Sequence, residues 1–417
     1  MIQHLEIEAR PAHPLAFLVL LTPFGVANGY QTVTLGYLLT AAGVSTEAVA
    51  AVVAAFLLPQ TWKFLWAPVV DSTLRPRAWY AIGVVLTALG IALTGLIPAT
   101  AAGLPLITAV GVVTSAASTL VSMSIESMLP HNTLEESRGR ASGWMQAGNL
   151  GGTGIGGGAA LWLAQNLAAP WLPALITAMV CLLCAVPLAW LREHPPEAPA
   201  IAALQPRPGA PQRLAVILRS LWRMARTRRG FLGLLLMVLP AGSGAAVNLW
   251  SAVAQGWQAS ANQVALVNGV LGGVVSMIGC LLGGPLCDWL DRRHAYVVFG
   301  TCLALCTAAM AMAPRTPATF IGFTLLYALI NGLCYTGYAA VALDSTESGS
   351  AATQFNAFSS LANAPLFYMA LLEGWAYSHH GPAAMLWSET LASLAGIALF
   401  GVAVVLSRRR TGAAPAI

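Results

Sequence analysis

Lysine occurs once in these 417 residues, at Lys63, and charged residues of every kind make up only 8% of the chain. A lone lysine followed by Phe64 cannot belong to a G-x-x-x-x-G-K-[ST] phosphate loop, which excludes ATP use by that route. So little charge beside 57% hydrophobic residues excludes a water-soluble globule too, because such a globule would have to expose large apolar patches. None of the seven histidines falls inside an apolar segment, so a proton relay would have to use carboxylates. All seven cysteines do fall inside apolar segments and make no extracellular disulfide pattern. Cys181 and Cys184 form a CxxC with no histidine or acid nearby, which reads as helix packing. No metal and no cofactor is expected.

What remains is a chain whose solvent is lipid. A bilayer crossing needs about 20 mostly apolar residues, and twelve such segments can be marked. They are Leu15–Leu39, Thr46–Val70, Ala78–Pro98, Gly103–Leu129, Ala141–Gln165, Leu172–Leu191, Phe231–Ala254, Asn262–Cys287, Ala295–Ala313, Ala318–Leu343, Thr353–Tyr377 and Ala383–Ser407. The expected fold is an all-α polytopic membrane protein. Eighteen of the twenty basic residues fall at Arg10, in the loops after spans 2, 4, 6 and 8, or in the tail Arg408–Arg410. By the positive-inside rule both termini and the central loop are expected on the cytoplasmic side. The net charge of +5 thus reads as topology, with a lipid bilayer and no nucleic acid as partner. The start of the chain has two glutamates and lacks the pattern of a cleaved signal, so the first span is expected to be retained.

The stretch Phe56–Arg77 organises the rest, because Leu281–Arg293 repeats it. Pro68, Asp71 and Arg75 match Pro285, Asp288 and Arg292 at one constant offset, and Pro23 and Gly25 match Pro240 and Gly242 at the same offset. A duplicated half is the reading: residues 1–191 as one six-helix bundle, 231–417 as its pseudo-symmetric copy, and 192–230 as a cytoplasmic linker. The linker is proline- and alanine-rich up to Pro211, and Gln212–Arg229 then reads as a basic amphipathic helix on anionic lipid. Acids at helix ends with arginines one turn on can latch one face of the molecule in one state and release it in another. The candidates are Lys63, Asp71, Arg75, Arg77, Arg138, Arg140, Asp288, Arg292 and Arg293. Lys63 lies about 12 Å along its helix from Asp71 at about 1.5 Å per residue, within snorkelling reach of the headgroups.

Polar side chains inside the spans mark a cavity. Span 1 concentrates Asn28, Tyr30 and Gln31, span 4 holds Ser118 and Ser122, and span 5 holds Gln146 and Asn149. In the second half Asn248 and Trp250 lie on span 7, Asn331, Tyr335 and Tyr338 on one face of span 10, and Asn356 and Asn363 on span 11. Interhelical hydrogen bonding is the compatible alternative. Glu126 and Asp344, repeat-related acids at the inner ends of spans 4 and 10, are candidates for gate ion pairs or proton carriers, and Glu373, toward the outer end of span 11, is a further candidate proton carrier. Gly152, Gly154 and Gly157 match G-x-G-x-x-G, but no strand precedes them; glycines four apart in this run let another helix pack closely. A membrane enzyme would need clustered His, Asp or Glu near one face, and the only histidine pair is His379 and His380, expected in an outer loop.

Two six-span halves with a doubled loop motif resemble the major facilitator superfamily. Gly284-x-x-x-Asp288 with Arg292 and Arg293 is similar to its loop signature, although Ala67 stands at the glycine position of the first copy. The run Leu58-Pro59, Trp62 to Pro68 and Asp71 resembles the branch that holds muropeptide permeases, acetyl-CoA transporters and siderophore importers. In the permeases span 4 carries two acids in a pattern like D-I-A-x-D-A, best matched by Ser122 to Ser127, with Ser122 in place of the first acid. That departure, and twelve expected spans without the extra spans of the muropeptide branch, direct the expectation to the shorter siderophore-type importers. The resemblance implies alternating access, proton coupling, a small-molecule substrate and a monomer in a bacterial inner membrane. The alternatives are a muropeptide or other cell-wall-fragment permease, or an exporter.

Overall fold

The computed structural model describes residues 13–44, 46–169, 171–191, 215, 219, 222–250, 254–345 and 351–411. Twelve helical stretches follow the apolar segments. Helix α1 runs through Pro14–Gly29, Tyr30–Leu35 and Gly36–Ala41, and α2 through Thr46–Trp62, Lys63–Leu65 and Ala67–Ser72. Next come α3 (Pro76–Leu96) and α4 (Leu104–Asn132). Helix α5 runs through Arg138–Gly154, Ile155–Ala159 and Ala160–Asn166, and α6 spans Leu172–Trp190. Helix α7 begins as Arg228–Val238 and, among the described residues, resumes with short turns at Ala245–Leu249 and Ala254–Trp257. Helix α8 runs through Ala261–Leu266, Val267–Leu271 and Gly272–Trp289. The last four are α9 (Arg292–Met312), α10 (Pro317–Ser345), α11 (Ala351–His380) and α12 (Pro382–Thr411).

Local chemistry sets several of the starts. Proline occupies the first turn of α1, α3, α4 and α6, where its missing N–H is one that a helix start leaves unpaired anyway. Ser260 and Gln263 form a capping box on α8, and the Asp291 carboxylate accepts from the backbone N–H groups of Arg293 and His294 at the start of α9.

Seven of the described helices, α3, α4, α6, α8, α9, α10 and α12, are by themselves long and apolar enough to cross a bilayer. The other five carry interruptions or polar side chains. A π-helical segment replaces regular α-helix in α1 and α5, and α2 tightens into a 3₁₀ turn at Lys63. Helix α11 holds Gln354, Asn356, Asn363 and Glu373. Helix α7 departs from expectation most. The segment Phe231–Ala254 was expected as one helix, but the helix stops at Val238 because Pro240 offers no N–H and Gly242 and Gly244 take φ values of 68° and 71°. The linker helix departs as well. Residues 192–214 lie outside the described residues, 222–226 are helical, and Thr227 caps a new helix where Gln212–Arg229 was expected to be continuous.

The outward faces are those of a protein in oil. Leu86, Leu89 and Leu93 of α3, Val298 and Leu305 of α9, and Leu399, Val402 and Val405 of α12 are exposed, while the polar side chains turn inward. Because the helices alternate in direction, the loops with Arg75, Arg77, Arg138, Arg140, Arg292 and Arg293 all fall at one end of the bundle, here termed the basic face. The two halves meet along α5 against α8 and where the basic-face ends of α2 and α4 meet α11. Glycine permits the closest of these approaches. A Cβ on Gly148, Gly152 or Gly156 would collide with α1 backbone, whereas one on Gly143 would stand 2.6 Å from the Cys280 carbonyl oxygen of α8.

Candidate functional site

Between the halves lies a cavity of about 550 Å³. All five interrupted or polar helices line it, together with α4, α8 and α10. Unwound and π-helical backbone at membrane depth is tolerated where it faces such a cavity. Amides and hydroxyls form the walls: Asn28, Thr32, Gln60, Asn149 and Thr153 from the first half, and Ser276, Thr324, Asn331 and Asn363 from the second.

The floor is charged. Lys63 and Glu126 are both buried, and Lys63 Nζ stands 3.3 Å from Glu126 Oε1. The other carboxylate oxygen accepts from Asn356 Nδ2 of α11 at 2.9 Å, so one acid ties α2, α4 and α11 together across the two halves. Beside it Asn149 donates to Gln146 at 3.1 Å and Gln146 donates to the Tyr338 hydroxyl at 3.1 Å, a second polar chain between the halves. Tyr338 packs edge-on against Tyr335 with ring centres 5.7 Å apart. A buried ion pair is stable against separation because removing either charge strands the other in a medium that solvates it poorly.

Below the floor, at the basic face, the second copy of the loop motif latches onto the first half. The Asp288 carboxylate accepts from the backbone N–H groups of Gly139 and Arg140 at 2.7 and 3.0 Å and from Arg140 Nε at 3.1 Å, so an acid of one half caps the N-terminus of α5 in the other. Arg292 pairs with Asp344 at 2.5 Å and donates to the Glu135 carbonyl, and Arg293 donates to the Arg229 carbonyl at 3.1 Å. Arg138 begins α5 and Arg75 and Arg77 flank Pro76 at the start of α3. The side chain of Asp71 lies outside the described residues.

Nine of the fourteen residues expected in the cavity line it: Asn28, Ser122, Gln146, Asn149, Trp250, Asn331, Tyr335, Tyr338 and Asn363. Tyr30, Gln31 and Ser118 do not, because they face packing within the first half. Gln31 donates to the Gly111 carbonyl of α4 at 2.8 Å, Ser118 bonds back to Ser115, and Tyr30 is buried. Asn356 is not on the wall but beneath it, against Glu126. The side chain of Asn248 lies outside the described residues.

Lys63 is placed differently from expectation: it does not snorkel, since Glu126 offers it a partner inside the protein. Asp344 pairs with Arg292 at the basic face. Glu373 is buried within the second half, away from the cavity lining. His379 and His380 belong to the last turn of α11, not to a loop; His379 stacks on Trp375 and His380 meets it edge-on. Sequence reasoning missed Gln60, Thr153, Ser276, Thr324 and Ser359 on the walls. Gln60, three residues before Lys63 and so on its face of α2, was the one with a readable signal.

Residues 15–366 match the family described as Major Facilitator Superfamily. The anhydromuropeptide permeases of Escherichia coli strains K12 and O157:H7 are each 25% identical over 364 residues, which is 84% of this chain and 70% of theirs. Among solved structures, the proton:xylose symporter XylE bound to 6-bromo-6-deoxy-D-glucose superposes with a TM-score of 0.68 at 14% identity, over 93% of this chain and 95% of that one. The human organic anion transporter MFSD10 gives 0.67 at 17%, over 93% and 98%. At such identities the structures speak for the fold alone.

Proposed function

Because the chain belongs to the major facilitator superfamily and is a multi-pass membrane transporter, not an enzyme, we propose that it is a proton-coupled permease importing cell-wall fragments of the muropeptide class across a bacterial inner membrane. The observation that carries the coupling is the Glu126 carboxylate, held by Lys63 on one side and by Asn356 of the opposite half on the other, at the floor of the cavity. Protonating Glu126 removes the charge that holds both partners. The floor then opens, the halves rock about the α5–α8 seam, and the Asp288 cap on α5 is broken and remade.

The substrate class rests on two supports. The curated relatives are muropeptide permeases by name, which moves the reading from the siderophore expectation to its alternative. The cavity offers amides, hydroxyls and tyrosine rings, which suit a sugar joined to a peptide. Lys63 at the floor is the cation available to a peptide carboxylate. The basic face, with both termini, is the cytoplasmic side on this reading.

The test is uptake of a radiolabelled anhydromuropeptide by cells lacking their own permease, with a labelled ferric siderophore as a parallel arm. Accumulation of the muropeptide that collapses when the proton gradient is discharged is the expected result. Siderophore uptake without muropeptide uptake, or muropeptide uptake indifferent to the gradient in wild type and Glu126→Gln alike, would overturn the proposal.

A further inference from the structure

A second acidic centre lies inside the second half. Glu373 of α11 and Glu389 of α12 lie on helices that pack together, and both are buried, at 0% and 1% exposure. The Tyr327 hydroxyl of α10 donates to Glu389 Oε1 at 2.5 Å. Three carboxylate oxygens, both of Glu373 and Oε2 of Glu389, have no hydrogen-bond partner among the described residues. The other titratable groups facing the pair are the Cys306 thiol of α9 and the Cys334 thiol of α10. From α7 comes the uncharged Trp250, and no described lysine, arginine or histidine makes an ion pair with either acid.

Two buried carboxylates in one helix bundle disfavour double ionisation: like charges repel, an apolar interior solvates them poorly, and no cation among the described residues pairs with either. One bound proton removes a charge and turns an orphan acceptor into a donor. The geometry also connects the pair to the cavity. Trp250 lines the cavity wall and meets the Tyr327 ring edge to face, with centres 5.2 Å apart at 89°. Trp250 belongs to the stretch of α7 that follows its break at Pro240, Gly242 and Gly244.

We infer that Glu373 and Glu389 form a proton-binding site in the second half, separate from Glu126, which reports to the cavity through Tyr327 and Trp250. It deepens the proton-coupled reading given above, but its test uses no transported solute, so the two can fail independently. Infrared spectra of the purified full-length protein at neutral pH, in sodium-free buffer, read the proton directly. Wild type is expected to show a carboxylic-acid C=O stretching band that is lost in Glu373→Gln/Glu389→Gln and kept in Glu126→Gln. Should the double variant not fold, Tyr327→Phe is expected to shift the same band by removing its hydrogen-bond neighbour. A band unchanged in whichever of these variants folds would overturn the site. So would a wild-type band that vanishes on adding sodium, which would make it a metal-cation site. The link to the cavity is read as the fluorescence due to Trp250, wild type minus Trp250→Phe. It is expected to follow pH in wild type and to stop doing so in Glu389→Gln, and pH dependence that persists in Glu389→Gln would overturn the link.

Discussion

Glu126 and Asp344 occupy corresponding places in the two halves, yet they are satisfied in different ways. Asp344 takes Arg292, the arginine of the loop motif, at the basic face, where both side chains keep some contact with solvent at 22% and 15% exposure. Glu126 takes Lys63 from inside α2, with both side chains at 6%, and reaches across to Asn356. Corresponding positions thus hold a partly exposed ion pair in one half and a buried one in the other. The difference is that α2 tightens into a 3₁₀ turn at Lys63, whereas the corresponding part of α8 is regular helix around Cys280. Burial raises the cost of breaking the first pair and removes the screening that softens the second.

That contrast can be broken experimentally. The largest effect is expected from Glu126→Ala, which strands Lys63 in the interior and should cost about 3–5 kcal/mol, seen as a large drop in thermal unfolding temperature in detergent. The same substitution at Asp344 should cost only about 1 kcal/mol, because water can reach Arg292. Equal losses at the two sites would erase the distinction. Next in size, Gly244→Ala should cost more than about 1 kcal/mol, because the new Cβ meets both a positive φ and the Asn331 side chain. At the matching region of the first half α1 runs on as helix through Gly25, where a Cβ would strike α5 backbone instead of straining its own. Asn356→Ala should cost about 0.6 kcal/mol, the mean for an interhelical hydrogen bond in a membrane protein, but should raise thiol-reagent labelling of a cysteine placed at the floor. The smallest effect belongs to Arg140→Gln. Its side chain is 57% exposed, and the Asp288 carboxylate keeps both backbone N–H bonds, so stability should change by only about 0.2 kcal/mol and depend on salt.

Much of this was legible in the chain itself. The twelve apolar segments needed only a length and a hydropathy, and the constant offset between Asp71 and Asp288 marked the duplication. Pairings were harder to read. Lys63 and Glu126 sit far apart in sequence, and nothing local says that a lysine near a helix end will turn inward. On α1 the polar residues surround the helix, so periodicity could not say that Asn28 faces the cavity while Tyr30 and Gln31 face their own half. The break in α7 was visible as Pro240, Gly242 and Gly244, but the same kinds of residue are absorbed into continuous helix in α1. The outcome depends on Asn331 and Cys334 standing behind those glycines, which is tertiary information. Glu389 drew no notice because a single acid in an apolar helix gains meaning only beside Glu373.

Helix α5 touches α1 with one row of glycines and α8 with another, and Gly273 of α8 comes so close to Gly154 that an added methyl on Gly273 would press on the Gly154 backbone. A helix bare on both sides has no rotamers to reset when its neighbours shift. It can serve as a smooth bearing, one that lets each half glide past the other without the friction of interlocked side chains. The first methyl group added to that surface would act as a brake.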